Sequence, residues 1–351
     1  MALRILLLTP QLYGIEKTLK SVLEDQGYEV TWLENKILQL DYHGTRSKLK
    51  LFRKIYFFFF SPVLRYLKKE MEKISNQKFD ILFSINAHVI CPYLFRILKN
   101  KNPDLFSVLY LWDSFSMFDW SRELILFNKV YTFDPKDSAK YKITYKPNFF
   151  VRSDKSINNE FENDLIFTGK FSSDRLMILD EILKQLDESS IKYYIKLWPA
   201  YTIFPHSPLI YRFFKLLNFK NKWVTNYLLN FEVLQKINTR KYFLDQSLDY
   251  NDLKKYFSGA NVILDLPNRY QTGYTHRITE ALAHGKKVIT ANERIKKESF
   301  YNPDQIQIID YQNPEMYIEW IRKKSAFPVD KYFSDLELSG WIKSMINVEL
   351  G

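Results

Sequence analysis

Residues 273–292, GYTHRITEALAHGKKVITAN, concentrate side chains whose types and spacing suit ligand chemistry. Gly273 permits a tight turn or a close backbone approach, and Thr275 is placed to cap a helix. In that helix Ile278, Ala281 and Leu282 fall on one apolar face, while Arg277, Glu280 and His284 follow a separate stripe at i, i+3 and i+7. The free N–H groups and positive dipole end of a helix start suit a phosphate. Arg277, in the first turn, adds a forked cation shaped for a diphosphate. A cation there opposes the helix dipole, which is odd for a purely structural helix. Glu280, one turn on, could accept both hydroxyls of a ribose. An exposed i,i+3 ion pair is the plainer alternative, and such pairs are common.

The elements that must position this segment alternate regularly. Short apolar runs at 4–8, 28–33, 79–85, 105–111 and 128–133 are separated by helical stretches, beginning with 15–27, where Gly27 sits at the C-terminal cap. A second series follows: strands at 164–170, 192–198 and 261–266, a helix at 174–186, a strand at 305–310 and a helix at 314–324. Apolar strands alternating with helices predict parallel sheets covered on both faces. The polar stretch 147–162 reads as an inter-domain linker, which divides the chain into domains at 1–150 and 160–330.

In open parallel sheets ligands bind beyond the carboxyl ends of the strands. That rule picks out TGKFSSDR with Lys170 and Arg175, and PNRYQTGYTHR with Thr272, Gly273, Thr275 and Arg277. In the first half it picks out Glu16, His88 in SINAH and Asp113 in YLWDS, each able to serve as a general base for a hydroxyl. Asp113 leads, directly after its strand. Asp134 and Asp137, in FDPKD, read better as helix caps. There is no phosphate-cradling Gly-Lys-Ser/Thr loop and no Gly-x-Gly-x-x-Gly, which argues against nicotinamide and flavin enzymes. No Asp-x-Asp offers ligands for a metal-clamped diphosphate, so no metal and no cofactor is expected.

The 351 residues carry a net charge of +11, a balance that favours anionic partners. Two segments, 46–73 and 203–231, mix clustered cations with aromatic residues. In the first, Arg46, Lys48, Lys50, Arg53, Lys54, Phe57 and Phe58 suit the interface of an anionic membrane, although a core helix with solvated lysines has the same pattern. The apolar run at the N-terminus stops at Thr9-Pro10, too short for a signal peptide. No stretch approaches the roughly 20 apolar residues of a spanning helix. The single cysteine, Cys91, excludes an internal disulfide and fits a reducing cytoplasmic compartment.

On these residues the chain resembles a bacterial glycosyltransferase of the GT-B fold, of the lipopolysaccharide, capsule and exopolysaccharide type. The stretches that carry the resemblance are ILLLTPQLYGIEKTLKSVLEDQGYEV, LYLWDS, KVYTFDPKDSAKY, LIFTGKFSSDR and QTGYTHRITEALAHGKKVITAN. The resemblance implies an α/β protein of two Rossmann-like domains facing each other across a cleft. It also implies metal-independent transfer from a nucleotide-sugar to a glycan or lipid-linked acceptor. Carried over by position, Arg277 and Lys170 would hold the diphosphate and Glu280 the ribose. The acceptor would enter from the N-terminal domain, with 46–73 docked peripherally on the inner face of the cytoplasmic membrane. Residues 335–350 would form a helix returning to that domain. The chain departs from the pattern in two places: the early glycine-rich loop is reduced to Gly14, and Thr272 stands where one large retaining group has a second glutamate. A 2-epimerase of the same fold is the main competing expectation. A nucleic-acid-binding protein is less favoured, because no zinc finger, helix-turn-helix or RNA-binding motif is present.

Overall fold

The computed structural model describes residues 2–11, 14–35, 62–88, 92–152, 162–198, 208–216, 228, 231–232, 248–268, 270–324, 327–328 and 331–346. The chain forms two compact units. The first comprises Met1–Arg152, Asn268–His276 and Lys331–Gly351; the second comprises Ser153–Pro267 and Arg277–Asp330.

The first unit is a six-stranded parallel sheet with the order β2-β1-β3-β4-β5-β6. Its strands are β1 (Arg4–Thr9), β2 (Glu29–Glu34), β3 (Ile81–Ile85), β4 (Phe106–Leu111), β5 (Lys129–Thr132) and β6 (Thr144–Tyr145). Helices α1 (Ile15–Asp25), α2 (Pro62–Lys73), α3 (Pro92–Lys101) and α4 (Pro135–Tyr141) alternate with them. Three of the four begin on proline, whose fixed φ and missing N–H suit the first helical position. Strands β1 and β3 are buried almost throughout, apolar at Ile5–Leu8 and Ile81–Phe83, because both of their faces are covered. Leu6, Leu8, Leu82, Leu94, Leu98 and Trp120 share one core cluster, each large aliphatic side chain contributing about 1.5–3 kcal/mol.

The second unit is a five-stranded parallel sheet with the order β11-β10-β9-β7-β8. It contains β7 (Asn163–Lys170), α5 (Ser173–Glu188), β8 (Tyr193–Trp198), α6 (Pro208–Leu216), α7 (Tyr250–Ser258) and β9 (Ala260–Asp265). Then come α8 (His276–Ala283), β10 (Lys287–Thr290), β11 (Ile306–Ile308) and α9 (Ile318–Arg322). Numbered within the unit, its order 2-1-3-4-5 repeats that of the first five strands of the other sheet. The tail, α10 (Lys331–Ser334) and α11 (Leu338–Ile346), belongs to the first unit. There Trp341 Nε1 donates to Pro147 O at 2.8 Å and its ring lies edge-on to Tyr110.

Three expected boundaries shift for identifiable reasons. The helix read over 314–324 is confined to Ile318–Arg322, because the α5 side chain of Gln185 binds Pro314 O at 2.7 Å and the Met316 amide at 2.9 Å. The terminal helix starts at Leu338 because Phe150 pairs with the residues before it, its N–H donating to Leu336 O at 3.0 Å. The linker read from 147 starts too early, since Asn148, Phe149 and Phe150 are buried in the first unit.

Candidate functional site

The strand order of each sheet reverses at one place, and there the carboxyl ends of the flanking strands open a crevice. In the first unit this switch point lies between β1 and β3; in the second it lies between β7 and β9.

Asn86, just after β3, organises the first of these. Its φ is 57°, a left-handed conformation that asparagine tolerates better than most residues. The side-chain carbonyl accepts from the backbone N–H groups of Trp112 at 2.8 Å and Asp113 at 3.3 Å. The amide donates to Asp113 Oδ2 at 2.7 Å and lies 3.5 Å from His88 Nε2. His88 is buried, edge-on to Phe118 and Trp120. Asp113 and His88, far apart in sequence, are thus gathered around one amide. Glu16 is buried in the first turn of α1, the helix that follows β1. Sequence reading passed over Asn86; the one signal was an asparagine directly after an apolar strand.

The loop leading into α8 is tied into the first unit. Thr272 donates through N–H to Asp134 Oδ2 at 2.7 Å and through its hydroxyl to Asp134 Oδ1 at 2.5 Å. Asp134 is also the N-cap of α4, accepting from the amides of Lys136 and Asp137. Asp137, read as a second cap, instead accepts from the Phe115 amide at 2.8 Å. A Cβ on Gly273 would lie 2.2 Å from Phe133 O, so the close approach that glycine allows is to the protein's own backbone. Asn148 Nδ2 donates to Tyr274 O at 2.8 Å. Thr272 and Gly273 therefore anchor the loop in the first unit. Thr275, half-buried, immediately precedes α8.

In the second unit, Arg277 Nε meets Asp265 Oδ1 at 3.1 Å, and Asp265 is 0% exposed at the end of β9. Thr290 Oγ1 donates to the other carboxylate oxygen at 2.9 Å. Arg277 also donates to Thr168 O at 3.3 Å and Leu266 O at 3.5 Å, beneath the Phe167 ring. The cation that opposes its own helix dipole is thus balanced by a buried carboxylate. Arg175 ties two strand ends together, donating to Leu266 O and Lys170 O at 2.9 Å each. Lys170 is exposed at the end of β7. The expected polar stripe is not a solvent face, and Arg277 and Glu280 do not form the exposed i,i+3 pair. Glu280 is 4% exposed and accepts a short hydrogen bond from the Tyr250 hydroxyl. His284 Nδ1 lies 2.7 Å from Glu280 O, and burial pushes the imidazole pKa below its usual 6.5.

The two lysines after Gly285 are structural. Lys286 Nζ donates to Ser258 O at 2.8 Å, while Lys287 Nζ donates to the carbonyls of Trp320 and Lys323 over the Trp320 ring. Burial lowers both to about 8. Among the described residues no group of three or more His, Cys, Asp or Glu is placed to hold a metal ion. None of the described helices is long and apolar enough to cross a membrane. Arg46, Lys48, Lys50, Arg53, Lys54, Phe57, Phe58 and Cys91 lie outside the described residues.

No protein-family model and no curated protein matches the sequence. Solved structures do. An alpha-glucosyltransferase in complex with UDP and a 13-mer DNA containing a central A:G mismatch is similar at TM-score 0.51 and 14% identity, covering 98% of this chain and 96% of that one. The UDP-GlcNAc 2-epimerase of Methanocaldococcus jannaschii, in complex with UDP-GlcNAc and UDP, is similar at TM-score 0.50 and 11% identity, covering 98% and 99%. Similarity at this level of identity concerns the fold, and it matches the two parallel sheets seen here: the architecture is α/β of the GT-B kind.

Proposed function

We propose that the protein is a glycosyltransferase. It moves a sugar from a nucleotide-activated donor to a glycan or lipid-linked acceptor in bacterial surface-polysaccharide synthesis, peripherally on the inner face of the cytoplasmic membrane. The observation that carries this reading is the switch point of the second sheet, where Lys170, Arg175 and Arg277 cluster at the strand ends with Glu280 one turn down α8. A guanidinium has five N–H donors, and the protein supplies Arg277 with three acceptors. Two donors remain for a diphosphate, held in place by Asp265 before any ligand arrives. These cations would offset the charge of the leaving diphosphate, and we propose that no metal is required. Asp113 is the proposed general base toward the acceptor hydroxyl, with Asn86 fixing its carboxylate.

The similar structures were solved with UDP or UDP-GlcNAc, so UDP, GDP, CMP and their sugars form the test panel. A nucleotide that binds the folded state raises the melting temperature with concentration. One member of the panel should do so, with and without EDTA, and Lys170→Ala should weaken the shift. No shift with any member would remove the basis of the proposal. Incubation with the nucleotide-sugar alone separates the epimerase reading, since an epimerase converts it whereas a transferase leaves it largely intact until acceptor is added.

A further inference from the structure

His88 is a titratable group of the first switch point that the proposed reaction leaves unused. It is 2% exposed, whereas Asp113 is half-buried just beyond its strand. A general base must come within hydrogen-bond reach of the hydroxyl it deprotonates. What His88 touches instead are two residues that hold Asp113. Asn86 Nδ2 lies 3.5 Å from its Nε2, and the Trp120 ring meets it edge-on at 5.0 Å. Trp120 in turn donates through Nε1 to Asp113 O at 3.3 Å.

Asn86 decides which ring nitrogen of His88 carries the proton, because Asn86 is held on every side. Its backbone N–H donates to Tyr110 O at 2.8 Å, and its C=O accepts from Asn35 Nδ2 at 3.0 Å and Ser84 Oγ at 2.6 Å. Turning the side-chain amide over would aim its N–H groups at the Trp112 and Asp113 amides and its oxygen at the Asp113 carboxylate. Like groups would then face each other at both ends, so these partners fix the orientation. The amide nitrogen carries two hydrogens; Asp113 Oδ2 takes one, and the other faces His88. At 3.5 Å that contact is long and the bond weak, yet it selects the tautomer. A proton on Nε2, in the neutral ring or in the imidazolium, would set hydrogen against hydrogen in a buried place. The neutral ring with its proton on Nδ1 offers a lone pair there.

We infer that His88 is a positioning residue: neutral and protonated on Nδ1, it accepts from Asn86 through Nε2 and holds the Asn86 amide against the Asp113 carboxylate. What the positioning serves rests on the proposed role of Asp113 as the base; the tautomer does not. His88 itself is thereby removed from the candidates for that base.

The test is nitrogen NMR of the full chain, isotope-labelled in histidine and asparagine, at neutral pH. Nε2 couples strongly to both carbon-bound ring hydrogens and Nδ1 to only one, so the two nitrogens are told apart in the parent protein. The His88 signals are identified by their loss in His88→Gln, and those of Asn86 by their loss in Asn86→Gly. The expected result is the chemical shift of a bare nitrogen at Nε2 and of a protonated one at Nδ1. His88→Leu, which cannot accept, should move one Asn86 side-chain hydrogen upfield. His88→Gln, whose carbonyl can take that hydrogen, should return it toward the parent position. A histidine that only filled space would not separate the two variants. A protonated Nε2 or an imidazolium in the parent would overturn the assignment, even if neither variant folds. An Asn86 amide unmoved in folded His88→Leu would overturn the positioning role. Both variants should keep the parent's thermal shift with the nucleotide panel, since the cations that would hold the diphosphate lie in the second unit. A parent that responds to no nucleotide would end the transfer reading and leave the tautomer to be judged by the NMR alone.

Discussion

The two units share a strand order and differ in what they bury where that order reverses. In the first unit the centre of the switch point is a neutral amide: Asn86 holds the Trp112 and Asp113 backbone and the Asp113 carboxylate. In the second it is an ion pair, Asp265 with Arg277, to which the end of β7 adds Lys170 and the first turn of α5 adds Arg175. The same contrast extends outward from both centres. The buried Glu123 of the first unit is pushed up to about 7 by desolvation, whereas the second unit buries Lys286 and Lys287 against backbone carbonyls. One scaffold therefore carries two electrostatic characters. The cationic one suits a phosphorylated ligand, and the neutral-to-acidic one suits a proton acceptor.

The largest effect that could break this contrast is at the ion pair. Arg277→Ala leaves Asp265 buried without its counter-charge and should cost about 3–5 kcal/mol in chemical denaturation. The double variant Arg277→Met/Asp265→Leu should recover most of that loss. For the same reason Arg277→Ala is a poor probe of nucleotide binding, and the exposed Lys170 is the better one. Gly273→Ala forces a methyl against Phe133 O and should destabilise by about 3 kcal/mol, read as a lowered melting temperature.

Glu123 sharpens the contrast through pH. Its folded pKa is raised to about 7 from 4.5, so the folded chain holds a proton that the unfolded chain releases at lower pH. Its contribution to stability is complete below pH 4.5 and is lost as pH rises through 7. Glu123→Gln should remove that slope and raise stability at pH 8 by on the order of 3 kcal/mol. A parent protein with flat stability from pH 4.5 to 7 would contradict the neutral character assigned to the first unit.

Smaller effects are expected at Asn86 and Lys170. Asn86→Ala should cost about 1–3 kcal/mol for the groups it leaves unpaired. Asn86→Gly should cost about 1 kcal/mol less than that, since glycine accepts the left-handed backbone freely. If Asn86→Ala costs as much as Arg277→Ala, the distinction between an amide centre and an ionic centre fails. Lys170→Ala should leave apo stability within about 0.5 kcal/mol and still reduce the thermal shift given by the nucleotide.

Much of the fold is legible locally. Period, apolar runs and capping residues act within a few positions of one another. They place the buried strands, α1, α5 and α8, the capping role of Asp134 and the apolar face of Ile278, Ala281 and Leu282. The post-strand rule likewise reaches Asp113, His88, Lys170 and Arg277 from sequence, because a parallel strand always delivers its next residues to the same edge. The partners of those residues are a different matter. Asp265 meets Arg277 across 12 residues, Asn86 meets Asp113 across 27, and Asp134 meets Thr272 across 138. The Asn86–Asp113 pairing depends on β3 and β4 being neighbours, and the Asp134–Thr272 pairing on the chain returning to the first unit at Asn268–His276, both fixed by long-range packing that no local pattern encodes. A polar stripe on α8 and an apolar stripe on α6 look alike as periodic sequence. Only the tertiary structure buries Glu280 against Tyr250 and leaves Leu209 and Leu216 facing outward.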